Sequence, residues 1–253
     1  MSFHNVPLGG RSAAVVLAML LLAAAPARSG DPVAAGDIEA FLGLGSGALD
    51  GVGGPAFNGS ALRTTFNAQA GDVLSFRFNF LTDEDPTLVF DLINDYAFVS
   101  LDGEDPTVLA EVAATPFVSS STGFSLESGL LAFTTTIAAA GSYTLGVGVI
   151  GVVDEMFPSA LLLDDFRLNG ALMAGGGFEA GPPAEFATLG TFAIVGDGFG
   201  SPAAEGSFQA ILSTAPTAVP EPAALVSLLV GASGVLAVAV RRRTACPSKR
   251  TPL

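Results

Sequence analysis

Leu74, Phe76, Phe78 and Phe80 share one parity, and Ser75, Arg77 and Asn79 fall between them. Successive side chains of an extended chain point to opposite faces, so this alternation predicts a strand with one buried face. The same reading gives strands at residues 96–101, 130–137, 142–153 and 161–168, and two later ones at 192–195 and 208–212. Gly, Ser, Thr, Pro and Asp break the pattern at intervals of roughly 8–12 residues, the spacing of short strands joined by turns. Asp102-Gly103 is one such turn signal, closing the strand at 96–101. Between Asp31 and Thr217 only residues 37–41 suggest helix, and only a single turn of it. Many short strands without helices imply an all-β fold of two packed antiparallel sheets.

The two ends of the chain depart from this pattern. Residues 12–25 are an unbroken apolar run behind Arg11, too short for a comfortable membrane span. Ala25-Pro26-Ala27 then offers small residues at the spacing signal peptidase reads, so residues 1–27 read as a secretory signal peptide cut after Ala27. Near the other end, residues 223–240 carry no charge and no proline. Eighteen residues make a helix of about 27 Å at ~1.5 Å per residue, enough to span a hydrocarbon core of ~30 Å. Arg241, Arg242 and Arg243 stop that segment and hold it on the cytoplasmic side. Pro220-Glu221-Pro222 precedes it, and both prolines resist helix, which leaves an extended, accessible peptide outside the membrane.

Pro220-Glu221-Pro222, one hydrophobic helix and a terminal basic cluster, in that order, resemble the PEP-CTERM sorting signal of Gram-negative bacteria. The resemblance covers residues 218–253. It implies handling by an exosortase, a membrane enzyme that cleaves near the motif and passes the protein from the inner membrane to the cell surface or extracellular matrix. The competing reading is an ordinary single-pass anchor.

Composition narrows the function of the remaining residues, 28–217. Up to Val219 the bases are Arg28, Arg63, Arg77 and Arg167, four against 23 carboxylates, a net charge of −19. Such a surface repels phosphate backbones and argues against nucleic acid as a partner. The single cysteine, Cys246, lies beyond the apolar segment, so the exported part has no disulfide. The single histidine, His4, leaves with the signal peptide, which removes His-dependent nucleophilic catalysis and histidine-bound zinc.

Two further fragments resemble carbohydrate-binding jelly-roll modules. Leu161-Leu162-Leu163-Asp164-Asp165-Phe166-Arg167-Leu168 is similar to their closing strand. Gly175-Gly176-Gly177-Phe178-Glu179 is similar to their opening strand. The resemblance implies a jelly-roll-like sandwich with a structural calcium held by Glu179 and Asp164, with Asp165 as a further ligand. Parity places Asp164 on the face of Phe166 and Leu168, pointing inward, where a buried carboxylate needs a partner. The competing reading is that both aspartates accept hydrogen bonds from turn amides. The order of the fragments is reversed relative to that family, so residues 170–215 are expected to complete the main sandwich, as in a circular permutation. Asp83-Glu84-Asp85, Asp91, Asn94-Asp95 and Asp102-Gly103-Glu104-Asp105 form a second acidic set, either a calcium site on loops or a solvated rim.

Two function classes follow. One is a non-enzymatic, surface-sorted sandwich that meets extracellular polysaccharide or biofilm matrix. The other is a secreted glycan hydrolase working through two carboxylates. The absence of Trp and the scarcity of Tyr, only Tyr96 and Tyr143, favour the first.

Overall fold

The computed structural model describes residues 28–50, 54–88, 94–153 and 156–215. In chain order the strands are β1 (Arg28–Ser29), β2 (Val33–Ala34), β3 (Ala56–Ala68), β4 (Val73–Thr82), β5 (Tyr96–Leu101), β6 (Thr107–Glu111), β7 (Val118–Ser119) and β8 (Leu126–Glu127). They continue with β9 (Leu131–Thr136), β10 (Gly141–Val152), β11 (Ser159–Leu168), β12 (Ala171–Leu172), β13 (Phe186–Leu189), β14 (Thr191–Gly196) and β15 (Phe208–Ser213). One α-helix, α1 (Ala35–Leu42), follows β2.

Period-two alternation in β4 puts Leu74, Phe76, Phe78 and Phe80 on the buried face, each 4% exposed or less. That face belongs to the larger sheet, ordered β1-β14-β15-β11-β4-β8-β7, with β12 against β11 and β9 against β4. The second sheet runs β13-β3-β10-β5-β6, with β2 against β3. The strand pairs are antiparallel in both sheets. Between the sheets lies one core, in which Phe76 stacks on Phe166 at 4.9 Å and on Phe133 at 5.0 Å.

Two strands are buried on both faces, which explains their unbroken apolar runs. In β11, Leu161 and Leu163 enter the central core, while Ala160 and Leu162 face outward into a second cluster with Phe124, Val195, Phe199 and Ile211. In β10, Leu145, Val147 and Val149 enter the central core, while Ile150 and Val152 meet a third cluster built by Ile38 and Leu42 of α1, Leu49, Tyr96 and Phe98. Glycine makes the close approach of α1 possible. A Cβ on Gly146 would lie 2.8 Å from a methyl of Leu42, and one on Gly148 would lie 2.6 Å from the Phe98 ring. The fold is thus a two-sheet sandwich with apolar clusters on both outer faces.

The helix is longer than the one turn read from sequence. Its eight residues bury Ala35, Ile38, Glu39 and Leu42, and Gly43 at φ 75° ends it, its N–H bonding to the Glu39 carbonyl. Burial of an apolar stripe, rather than propensity, extends it. The Asp102-Gly103 turn has φ of 54° and 72°, the left-handed pair that a tight turn of this kind requires. Residues 175–179, in contrast, form turns and not a strand, with Phe178 at φ 55°.

Residues 170–215 enter both sheets. β13 pairs with β3, and β15 lies between β14 and β11. They place Phe178, Phe186, Phe192, Ile194 and Leu212 in the core that holds Leu74 to Phe80. Loss of large core side chains costs about 2–5 kcal/mol each, and a domain is stable by only about 5–15 kcal/mol. A chain ending at Asn169 should therefore show no cooperative thermal transition. A melt as sharp as that of the intact domain would mean that these strands are dispensable.

Candidate functional site

The acidic residues singled out from sequence converge on the segment that leads into β15. Asp164 lies in β11, opposite Arg77 of β4, and Arg167 lies opposite Ser75. Between these pairs Asp165 and Phe166 stand against Phe76 alone, two residues against one, a β-bulge. Asp165 takes φ 58° there, a left-handed conformation that aspartate tolerates better than most residues. The bulge reverses parity. Leu161 and Leu163 precede it on the core face, and Phe166 follows it on that same face. Asp164 therefore shares the outer face with Ala160 and Leu162, which corrects the expectation that it points inward with Phe166 and Leu168.

The outer face does not expose Asp164, which is 2% accessible. Its Oδ2 accepts hydrogen bonds from the amides of Ala204 (2.8 Å) and Glu205 (2.7 Å), and its Oδ1 accepts one from the amide of Asp165 (2.7 Å). Asp165 accepts from Nε of Arg167 at 2.5 Å, Nη2 of Arg167 reaches Glu205 at 2.7 Å, and Nη1 donates to the Gly170 carbonyl. Glu179 sits in the turn after Phe178, and its Oε1 accepts from the amides of Ser207 and Phe208, both at 2.9 Å. Two carboxylates thus grip the two ends of residues 204–208.

This arrangement does not fit a calcium ion held by Asp164, Asp165 and Glu179. Five backbone N–H groups direct their positive ends at the Asp164 and Glu179 oxygens, and Arg167 occupies Asp165. A cation at those oxygens would face amide donors where it needs additional acceptors. Among the described residues no group of three or more His, Cys, Asp or Glu is placed to hold a metal. Asp164 accepts backbone amides as in the turn-amide reading, whereas Asp165 pairs with the Arg167 guanidinium instead, and Glu179 clamps the amides of 207 and 208.

The second acidic set meets in part at one end of the sandwich. Glu84 and Asp95 are both buried, and Oε2 of Glu84 accepts from the Asp95 amide at 3.2 Å. Asp95 in turn accepts from the Val152 amide at 2.8 Å. Asn94 donates to Glu111 and accepts from the Ala113 amide. Asp83 accepts from the amide and hydroxyl of Ser125, Asp85 from Thr87, and Asp102 from the Thr144 amide. Asp91 lies outside the described residues.

Tyr96 is fully buried and donates to the Leu49 carbonyl at 2.5 Å, and burial pushes its pKa up. It lines no surface groove. Tyr143 stacks on Phe66 at 5.9 Å and donates to the Ala139 carbonyl. Sequence reading passed over Glu39, whose two carboxylate oxygens take the amides of Gly47 and Leu49, and Glu205, the far partner of Arg167. A glutamate inside a short helix carries no signal for a loop ten residues on. Ala25, Ala27, Pro220, Glu221, Pro222, Arg241, Arg242, Arg243 and the apolar segment 223–240 lie outside the described residues. Among the described residues no helix is long and apolar enough to cross a membrane.

Burial raises Asp164 from the ordinary 3.8 to about 6; the three amide bonds pull it back, and neighbouring Asp165 adds to the rise. The folded state therefore favours the protonated form. The contribution of Asp164 to stability should be greatest below pH ~4, fall as pH rises from ~4 to ~6, and level off above, a step of at most about 3 kcal/mol for some two pH units at ~1.36 kcal/mol each. Asp164→Asn, which carries no titrating proton, should lose that step in urea unfolding at pH 4 and pH 7, and an unchanged pH difference would remove Asp164 as its source. The amide clamp also predicts a melting temperature that is the same in chelator and in millimolar calcium. A calcium-dependent rise would show an ion displacing the amides. Comparisons with protein-family models, curated proteins and solved structures found no match, so the chain's function has to be read from its own residues.

Proposed function

We propose that this chain is an exported, non-enzymatic protein whose C-terminal signal hands it to an exosortase, and that its sandwich then meets extracellular polysaccharide or matrix at the cell surface. The observation that carries the reading is Pro220-Glu221-Pro222 followed by the charge-free segment 223–240 and by Arg241-Arg242-Arg243.

A jelly-roll-like path is part of the same reading. The chain passes from one sheet to the other at β3–β4, β4–β5, β9–β10 and β10–β11, and β10 lies between β3 and β5. Engagement of Asp164, Glu179, Asp83 and Asp102 with backbone amides, together with the burial of Tyr96, favours a non-catalytic surface over a two-carboxylate hydrolase. The resemblance of residues 161–168 and 175–179 to sugar-binding modules is an analogy and does not identify a glycan.

Replacement of Glu221 by alanine tests the sorting step. The wild-type protein should be recovered from the cell surface with a mass lacking the tail beyond the motif, and Glu221→Ala should stay membrane-bound at full tail mass. Identical mass and location for the two proteins would discard the motif as the signal.

A further inference from the structure

We propose that β9 is an interaction edge through which two copies of this chain pair, their β9 strands meeting antiparallel so that the larger sheet runs on from one copy into the other. β9 pairs with β4 along one side, in an unbroken register from Val73–Thr136 to Phe78–Leu131, and with no other described strand. Hydrogen bonds fix which of its backbone groups face away. Consecutive residues of a strand direct their N–H and C=O groups to opposite sides. The Asn169 amide donates to the Val73 carbonyl, and the Val73 amide donates to Oδ1 of Asn169. Val73 therefore faces β11 and makes no ladder bond to Thr136 opposite it. Ile137 does the reverse, its amide donating to the Asp72 carbonyl. Leu131, Phe133 and Thr135 thus bond to β4, and Ala132, Thr134 and Thr136 present their N–H and C=O groups along the free edge. All three are exposed, which leaves that edge open to solvent.

Sheet edges are ordinarily protected by shortness, charge, proline or a bulge. The other edges here follow that rule. β1 and β7 have two residues each, β13 has four, and β6 ends in Glu111 and shifts register between Ala97 and Phe98. β9 has six residues, Leu-Ala-Phe-Thr-Thr-Thr, without charge, proline or bulge. It lies within residues 128–153, which carry no charge, in a stretch where four arginines stand against 23 carboxylates. The central core is also unfinished at this edge. On β4, Phe76 and Phe78 are 1% and 4% exposed, whereas on β9 Leu131 is 39% exposed and Phe133, stacked on Phe76, is half-buried. One more strand would cover both. Charge and symmetry select the partner. Copies of so acidic a chain repel where their carboxylates meet, and along β9 they can approach without that cost. A two-fold axis then lets the free groups of residues 132, 134 and 136 meet those of the same strand in the second copy, so donors and acceptors match on both sides. Threonines facing each other across such a seam add side-chain contacts.

The test uses the full chain with Cys246→Ala in mild detergent. A nitroxide is attached through Thr134→Cys or, on the edge strand β13 of the other sheet, through Ala187→Cys, both exposed positions. Thr134 alternates with Phe133, so the label stands on the outer face and leaves the edge free. The nitroxide at 134 should show dipolar broadening that grows with protein concentration and disappears when labelled chains are mixed into an excess of unlabelled ones. The nitroxide at 187 should show none. Ala132→Pro and Thr136→Pro each remove an amide that points away from β4, so the ladder with β4 and the melting temperature should be kept while the broadening at 134 is lost. A spectrum at 134 that stays narrow up to about 1 mM protein overturns the pairing. Equal broadening at 134 and 187 overturns it too, since that is association without a preferred edge. Broadening that persists in both folded proline variants places the contact elsewhere and likewise overturns it.

Discussion

Carboxylates without bases set the terms of this fold. Between residues 28 and 219 there are 23 acids and four arginines, and no disulfide is available, so the negative charge has to be held by something other than ion pairs. The backbone N–H group is that partner. Glu39 ties down residues 47 and 49, Asp164 residues 204 and 205, Glu179 residues 207 and 208, and Asp95 residue 152. Charge-assisted bonds of this kind contribute about 1.5–3 kcal/mol where they are shielded from water, more than a neutral pair. Each also satisfies loop amides that a sheet ladder cannot reach. Arg167, between Asp165 and Glu205, is the one basic residue found in ion pairs among the described residues, and it reinforces a loop that is already clamped.

Those clamps matter because the loops they hold are themselves walls of the protein. The outer face of the larger sheet is covered near Phe124 and Phe199, and that of the smaller sheet by α1 and Leu49. A loop that swings away would uncover Leu162, Ile211 or Ile150, all now buried. Electrostatics and packing are therefore coupled: the amide bonds position the loops, and the loops keep the second faces of both sheets dry. Ser60 makes a similar link between the sheets, donating to the Ser213 carbonyl and accepting from the Thr191 amide.

What sequence could reveal follows from the range of each interaction. Alternation in residues 74–80 is local, and β4 appears where it predicts. The apolar runs that became β10 and β11 were equally plain, because burial on two faces needs no alternation to be recognised as core. Asp164 was misplaced because a single bulged residue inverts the parity of all that follows, and nothing in Asp164-Asp165-Phe166 marks it except a short polar side chain able to adopt positive φ. Glu179 was misread for a related reason: Gly175 to Gly177 permits either a strand or turns, and the choice is made by distant contacts of Phe178 with Phe166 and Phe186. The partners of both carboxylates come from a loop some thirty to forty residues away, a pairing that no local pattern encodes.

The position of β15 has a mechanical consequence. It is the last strand among the described residues and yet an interior one, flanked by β11 on one side and β14 on the other. Ladder bonds run across the strands, so tension applied through Ala215 along the strand loads both rows of bonds in shear, and they resist together. A terminal strand at a sheet edge, pulled sideways, would open one bond at a time. Tension that enters a domain through its C-terminal end is resisted better by the first geometry, and here the last described strand is built into the middle of a sheet.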